Sequence, residues 1–276
     1  MSKFTVNEDT DIKSFLESFY LGKAKINKLL SSNYYINDKL SNSKSLNKGD
    51  IVEFDLDVLD KTVFPPYEYN LRIVYEDEYL VIVEKPEKML THPDGNRNDT
   101  LANAISYYYK KTKQNCGVRV IQRLDYETSG LIIFPKDPLS QSFLSYQIEK
   151  NTLLREYVVL VEGKVKQDTG VINAPIGRNK YERNKYLVTK SGKNAITRYE
   201  VIERNNNYTK LKVYLETGRT HQIRVHFKHL GHPIVGDELY GKISDRLYLH
   251  AKRLGFIHPN TRKYLEVVSG DLKWNL

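Results

Sequence analysis

The chain has 276 residues, 40% of them apolar, which is enough for a real core in one large domain or in a medium domain with a small companion. Its 43 Lys and Arg exceed its 34 Asp and Glu, and the net charge of +9 favours polyanionic partners, nucleic acid first and anionic membrane second. The single cysteine, Cys116, excludes an internal disulfide and a Cys-based metal centre, and the absence of a signal-like apolar core or a run of roughly 18 apolar residues makes a cytoplasmic protein with no membrane partner the expectation.

From the N-terminus, Ile12, Phe15, Leu16 and Phe19 recur with a helical period between Asp11 and Leu21, and Ile26, Leu29 and Leu30 give a second short helix. Tyr34 to Ile36 reads as a strand ending in an Asn37-Asp38 turn, and Lys48-Gly49-Asp50 turns into the alternating strand Ile51 to Leu56. Two helices and a short hairpin make residues 1–60 a small module of their own. Pro65-Pro66 blocks regular structure, so 61–70 is read as a linker and 71–276 as a second domain.

In that domain Leu71 to Tyr75 and Tyr79 to Glu84 are strand-like about a Glu76-Asp77-Glu78 turn. Leu101 to Lys111 and Leu139 to Lys150 have helical spacing. Val118 to Gln122, Leu131 to Phe134, Tyr157 to Val161, Ala195 to Ile202, Lys210 to Leu215 and Leu265 to Val268 are further candidate strands. Strands outnumber helices and do not alternate with them, which predicts an α+β fold on a largely antiparallel mixed sheet with flanking helices.

Three segments could carry chemistry. Arg123-Leu124-Asp125-Tyr126-Glu127-Thr128-Ser129-Gly130 is a polar stretch between two apolar runs, where catalytic groups tend to sit, although an arbitrary loop aspartate is far more often a turn cap. Arg155-Glu156-Tyr157 opens a strand, but with 21 tyrosines in the chain one tyrosine is usually packing. Glu216 to His226, continuing to His229 and His232, clusters histidines. It lacks His-Glu-x-x-His and has little carboxylate partnering, so Arg, Thr, His and Gln donors facing a phosphate backbone fit better than a metal. Arg178, Lys180, Arg183, Lys185, Lys190 and Lys193 meet only Glu182 as an acid in their stretch and read as a phosphate-tracking loop. No Gly-x-Gly-x-x-Gly and no Walker lysine loop is present, which disfavours an NTPase, a dehydrogenase or an AdoMet-dependent methyltransferase.

Taken in order, Glu84-Lys85-Pro86, His92-Pro93, Arg123-Leu124-Asp125 with Thr128-Ser129-Gly130, Arg155-Glu156-Tyr157, Thr217 to His226, Gly231 to Asp237 and Leu249-His250-Ala251 resemble the signature of the RluA-type RNA pseudouridine synthases over about residues 70 to 270. The first sixty residues are similar to the small alpha-L RNA-binding module of a small-subunit ribosomal protein. The resemblance implies an enzyme that isomerises uridine in ribosomal RNA, large-subunit above all, or transfer RNA, with no metal and no cofactor, acting as a monomer. It implies Asp125 as nucleophile or base, Tyr157 stacked on the target base, and Arg224 paired with Asp125. Arg123 would fill the gap left by the flipped uridine, with Thr128, Arg219, His221 and Gln222 as further substrate contacts. Where the common family pattern has His before Arg-Leu-Asp, this chain has Gln122, an amide that cannot titrate. The competing expectations are a catalytically degenerate RNA-binding protein of the same fold, and a metal-dependent RNA hydrolase built on His226 and His232.

Overall fold

The computed structural model describes residues 2–59, 63–270, 272 and 274. In the N-terminal part, β1 (Ser2–Thr5), β2 (Thr10–Asp11), α1 (Ile12–Glu17), α2 (Lys23–Leu30), β3 (Tyr34–Ile36), β4 (Lys39–Ser41), β5 (Ser45–Leu46) and β6 (Ile51–Phe54) follow in turn. The Asp11 carboxylate accepts from the Lys13 and Ser14 amides and so caps α1. Asn37 and Asp38 both hold positive φ, 52° and 62°, the pattern of a tight hairpin turn between β3 and β4. The sheet order is β1-β6-β3-β4, so the expected hairpin sits on two further strands.

Residues 63–70 lie against the helix α3 (Leu101–Lys111): the Tyr67 amide donates to the Asn103 carbonyl, Asn103 to the Pro65 carbonyl, and Ser106 to the Phe64 carbonyl. Paired prolines exclude regular structure there but not packing. Of the stretch read as a linker, Lys61 and Thr62 lie outside the described residues.

The larger sheet begins with β7 (Arg72–Glu76) and β8 (Leu80–Lys85). After α3 come β9 (Ser129–Pro135), α4 (Pro138–Glu149), β10 (Leu154–Glu162), β11 (Thr169–Asn173), the hairpin β12 (Ile176–Arg178) and β13 (Tyr186–Val188), β14 (Ile196–Arg204) and β15 (Tyr208–Leu215). The helix α5 (Gln222–His229) and the strands β16 (Leu249–Ile257) and β17 (Tyr264–Val268) complete the chain. The strand order is β11-β14-β15-β10-β16-β9-β8-β7, with β17 also on β16. All neighbours are antiparallel except β9 and β16, which run parallel through Ser129–His250 and Gly130–Ala251. This is the α+β architecture with a largely antiparallel mixed sheet.

Val118 to Gln122 is not a strand. Val118 and Val120 pack into one core cluster and Ile121 against another, so the apolar run marks burial without supplying a partner strand. Conversely, α5 lies in the segment read only as a row of donors; its polar spacing hides a helix buried along Gln222 to Phe227.

The N-terminal part is packed against the larger sheet. Its core continues through Tyr79, Leu139 and Phe143. The Arg262 guanidinium stands 4.3 Å from the Phe19 ring and 4.1 Å from the Phe143 ring, and Tyr20 stacks on Tyr146 with ring centres 3.5 Å apart. Among the described residues no helix is long and apolar enough to cross a membrane.

Candidate active site

The loop 123–128 feeds β9 at the one parallel seam of the sheet. Four anchors fix it without touching the Asp125 carboxylate. The Thr91 hydroxyl accepts from the Leu124 amide at 3.2 Å and donates to the Leu124 carbonyl at 3.1 Å. The fully buried Lys85 ammonium donates to the carbonyls of Pro86, Met89 and Tyr126 at 2.8, 2.8 and 3.1 Å. Burial pulls its pKa down to about 7, while the nearby Asp125 favours its charged form. The Met89 amide also donates to the Tyr126 carbonyl, and the Thr128 amide closes a turn on the Asp125 carbonyl. Gly130 ends the loop with φ +119°; a Cβ there would lie 2.4 Å from the Ala251 carbonyl oxygen, so the seam between β9 and β16 admits only glycine.

A cavity of about 1420 Å³ opens over this loop. That exceeds the roughly 300–1,000 Å³ usual for a small-molecule pocket and suits a segment of polymer. Asp125, Tyr157, Arg224, Arg123, Thr128, Arg219, His221 and Gln222 all line it. The structure therefore brings together these eight residues from β10, α5, the turn before α5 and the 123–128 loop, while Lys180, Arg183, Lys185, Lys190, Lys193, His226 and His232 are not part of this lining.

Their individual environments differ from expectation in two places. Arg224, 2% exposed, forms a forked pair with the fully buried Asp237, Nε to Oδ2 at 2.8 Å and Nη2 to Oδ1 at 2.7 Å, and Nη2 reaches Glu127 Oε2 at 2.8 Å. The expected ion pair with Asp125 is thus replaced: the planar fork is taken by Asp237, and Asp125 acts on Arg224 only through its field. Arg224 holds the 123–128 loop by way of Glu127, two residues after Asp125. Burial raises the Glu127 pKa against the opposing pull of Arg224. The backbone that presents Asp237 needs Gly236, whose φ is +76° and whose Cβ would overlap the Arg246 carbonyl.

Gln222 is the second difference. Its amide accepts from Thr217 Oγ1 and the Arg219 amide and donates to the Ile196 carbonyl and Thr197 Oγ1, all at 2.8 to 3.0 Å. It ties the Thr217–Arg219 turn to β14, beneath the surface a substrate would meet.

Tyr157 is buried, which raises its pKa and keeps the hydroxyl protonated at neutral pH. His221 caps α5 in the left-handed conformation, φ 55°, with Nδ1 2.9 Å from the Tyr240 hydroxyl; burial lowers its pKa, so it is neutral at pH 7. Arg123 is exposed at the rim, and Arg219 donates from Nε to the Asn194 carbonyl. Thr128 Oγ1, Gln122 Nε2 and His92 Nδ1 are buried on this wall with no hydrogen-bond partner among the described residues. His226 uses both ring nitrogens on Thr197 and Ala174, and His232 uses Nδ1 on the Glu162 carbonyl. Among the described residues no group of three or more His, Cys, Asp or Glu could hold a metal ion.

Lys85, Thr91, Glu127 and Asp237 carry the loop and were assigned no role from sequence. Lys85 and Asp237 did stand inside recognisable motifs, but nothing in one sequence marks a buried ion as an anchor.

A chain with this sheet, this cavity and this aspartate loop belongs to a defined family. Residues 79–229 match the family model described as RNA pseudouridylate synthase, and the chain is a member of that family: an isomerase that converts uridine to pseudouridine in RNA. It is 40% identical over 230 residues to the RNA pseudouridine synthase YhcT of Bacillus subtilis, covering 81% of this chain and 76% of that one. It is 35% identical over 236 residues to ribosomal large subunit pseudouridine synthase D of Haemophilus ducreyi, covering 79% and 72%. Among solved structures, human RNA pseudouridylate synthase domain containing 1 superposes with a TM-score of 0.62 at 28% identity, covering 75% of this chain and 86% of that one.

Proposed function

We propose that this enzyme modifies large-subunit ribosomal RNA, with transfer RNA as the alternative substrate, and that Asp125 is its catalytic carboxylate. The observation that carries the reading is the Asp125 loop itself, clasped at Leu124 and Tyr126 and set in a cavity larger than the usual small-molecule pocket. Relatives named as ribosomal large subunit enzymes support the substrate class.

In this reading the target uridine leaves its stack, at a cost of a few kcal/mol, and Arg123 at the rim offsets part of that cost by stacking in the gap. Asp125 then attacks, or removes a proton, as the glycosidic C–N bond breaks; the uracil turns and a C–C bond forms. Tyr157 packs on the base and offers a protonated hydroxyl. His221, neutral beside Tyr240, and the unpaired Thr128 hydroxyl supply polar contacts, while Arg219 meets phosphate. Arg224 and Gln222 act through other groups and are positioning residues. Residues 1–60 serve as an alpha-L-like RNA-binding module, and one copy of the chain suffices.

Transcriptome-wide pseudouridine mapping in a deletion strain beside its parent tests the substrate. A large-subunit site lost only in the deletion is the expected result; loss confined to transfer RNA would overturn the ribosomal assignment.

A further inference from the structure

We propose that the tip of the β12–β13 hairpin is a stacking platform for an unpaired base flanking the target, with Tyr181 as the ring on which that base lies. This rests on the reading of the cavity as an RNA-modifying site.

Tyr181 is 95% exposed, more than any other large apolar side chain described. Most of an aromatic ring left in water is unfavourable by the usual measure of apolar area, so a ring held out in this way is available to a partner. The tip that carries it is organised. Asn179 Oδ1 accepts from the amides of Tyr181 at 2.9 Å and Glu182 at 3.3 Å, the Asn179 amide donates to the Lys185 carbonyl, and Asn184 turns the chain with φ 63°. Glu182, the one acid of the tip, pairs with Lys185, and Arg178, Lys180 and Arg183 are exposed cations of the same hairpin. An aromatic ring among exposed cations fits a single-stranded polyanion whose bases are free to stack.

The base of the hairpin is fastened to the active site. The Tyr186 amide donates to the Tyr240 hydroxyl at 2.9 Å, the same hydroxyl that meets His221, and the Tyr186 ring lies edge-on to His221 at 5.6 Å. Arg178, Asn184 and Tyr186 line the cavity. Tyr181 itself is not part of that lining, and the three residues from Arg178 to it span at most about 10 Å, roughly three stacked bases, so the ring is placed to meet a neighbour of the target within that reach.

The test uses the full chain and measures its affinity, over a range of salt concentrations, for an oligouridine of about ten nucleotides and for the same oligomer with abasic sugars. Tyr181→Ala should weaken oligouridine binding about tenfold at every salt concentration, with the salt slope unchanged. Tyr181→Phe should bind within about twofold of wild type, because the ring and not the hydroxyl makes the contact. Removing Lys180 and Arg183 together should flatten the slope by about 1.4, the share of two phosphates on a single strand. On the abasic oligomer, Tyr181→Ala and wild type should bind alike. Oligouridine binding by Tyr181→Ala as tight as wild type, or an equal loss in Tyr181→Phe, would overturn the proposal. Pseudouridine formation by the wild-type chain is followed separately, so failure of the enzymatic reading shows there and not in the affinities.

Discussion

Lys85 and Thr91 grip the main chain on either side of Asp125, and Arg224 grips Glu127 two residues further on. The carboxylate is therefore positioned by groups bonded to its neighbours, and in the proposed reaction its own oxygens would do the chemistry. Arg224→Lys tests this indirect role. A lysine keeps the charge but cannot fork onto Asp237 while also holding Glu127. The expected outcome is a fall in kcat of at least about tenfold with RNA affinity within about twofold of wild type, read from single-turnover rates and binding titrations. An unchanged kcat would mean that Glu127 needs no anchor. The residues that meet in the cavity were legible in sequence because each sits in a short distinctive motif. Their partners were not: that Arg224 prefers Asp237 to Asp125, and that Gln222 spends its whole amide internally, depends on burial and fork geometry that only the fold supplies.

At the scale of elements, the strands with clear alternation or long apolar runs, such as β8, β9, β10 and β15, stand where their periodicity places them. The misses have physical causes. The polar row Gln222 to His229 is a helix because its Arg and His side chains find buried partners, which hydropathy cannot anticipate. β16 contains Gly255 and the buried His250, so its pattern is broken. His250 joins the two parallel strands: Nδ1 lies 2.8 Å from the Ser129 hydroxyl and Nε2 2.8 Å from that of Ser269. Burial first, then Lys252, Arg246 and Arg72, hold its pKa at about 3, below the usual 6.5. The folded state thus resists a proton that the unfolded chain accepts, and this stability is complete above pH 6.5 and lost as pH falls through 6.5 towards 3. Between pH 7 and pH 5 the loss should be about 2 kcal/mol from this group. Denaturant titrations at the two pH values should show a shallower dependence in His250→Gln by about that amount; an equal dependence would place the acid sensitivity elsewhere.

For the whole molecule, the N-terminal part docks on the larger sheet through a shared apolar core. The prolines suggested a division at about residue 60; the shared core could not be anticipated, because Tyr79, Leu139 and Phe143 lie far from it in sequence. Arg262, between two rings and donating from Nη2 to the Ser18 hydroxyl at 2.9 Å, clasps the two parts together. Arg262→Ala should cost about 1–2 kcal/mol in thermal or denaturant unfolding, mainly by freeing the first sixty residues. A variant as stable as wild type would show that the apolar contacts alone hold the module.

The carboxylate of Asp125 is the group on which the proposed reaction depends. Wild-type protein and Asp125→Asn are each incubated with unmodified large-subunit ribosomal RNA, and pseudouridine is counted by mass spectrometry. Wild type should convert a small set of uridines, and the variant should bind the RNA yet lose at least about a thousandfold in rate. Equal pseudouridine from the two proteins would contradict the central claim.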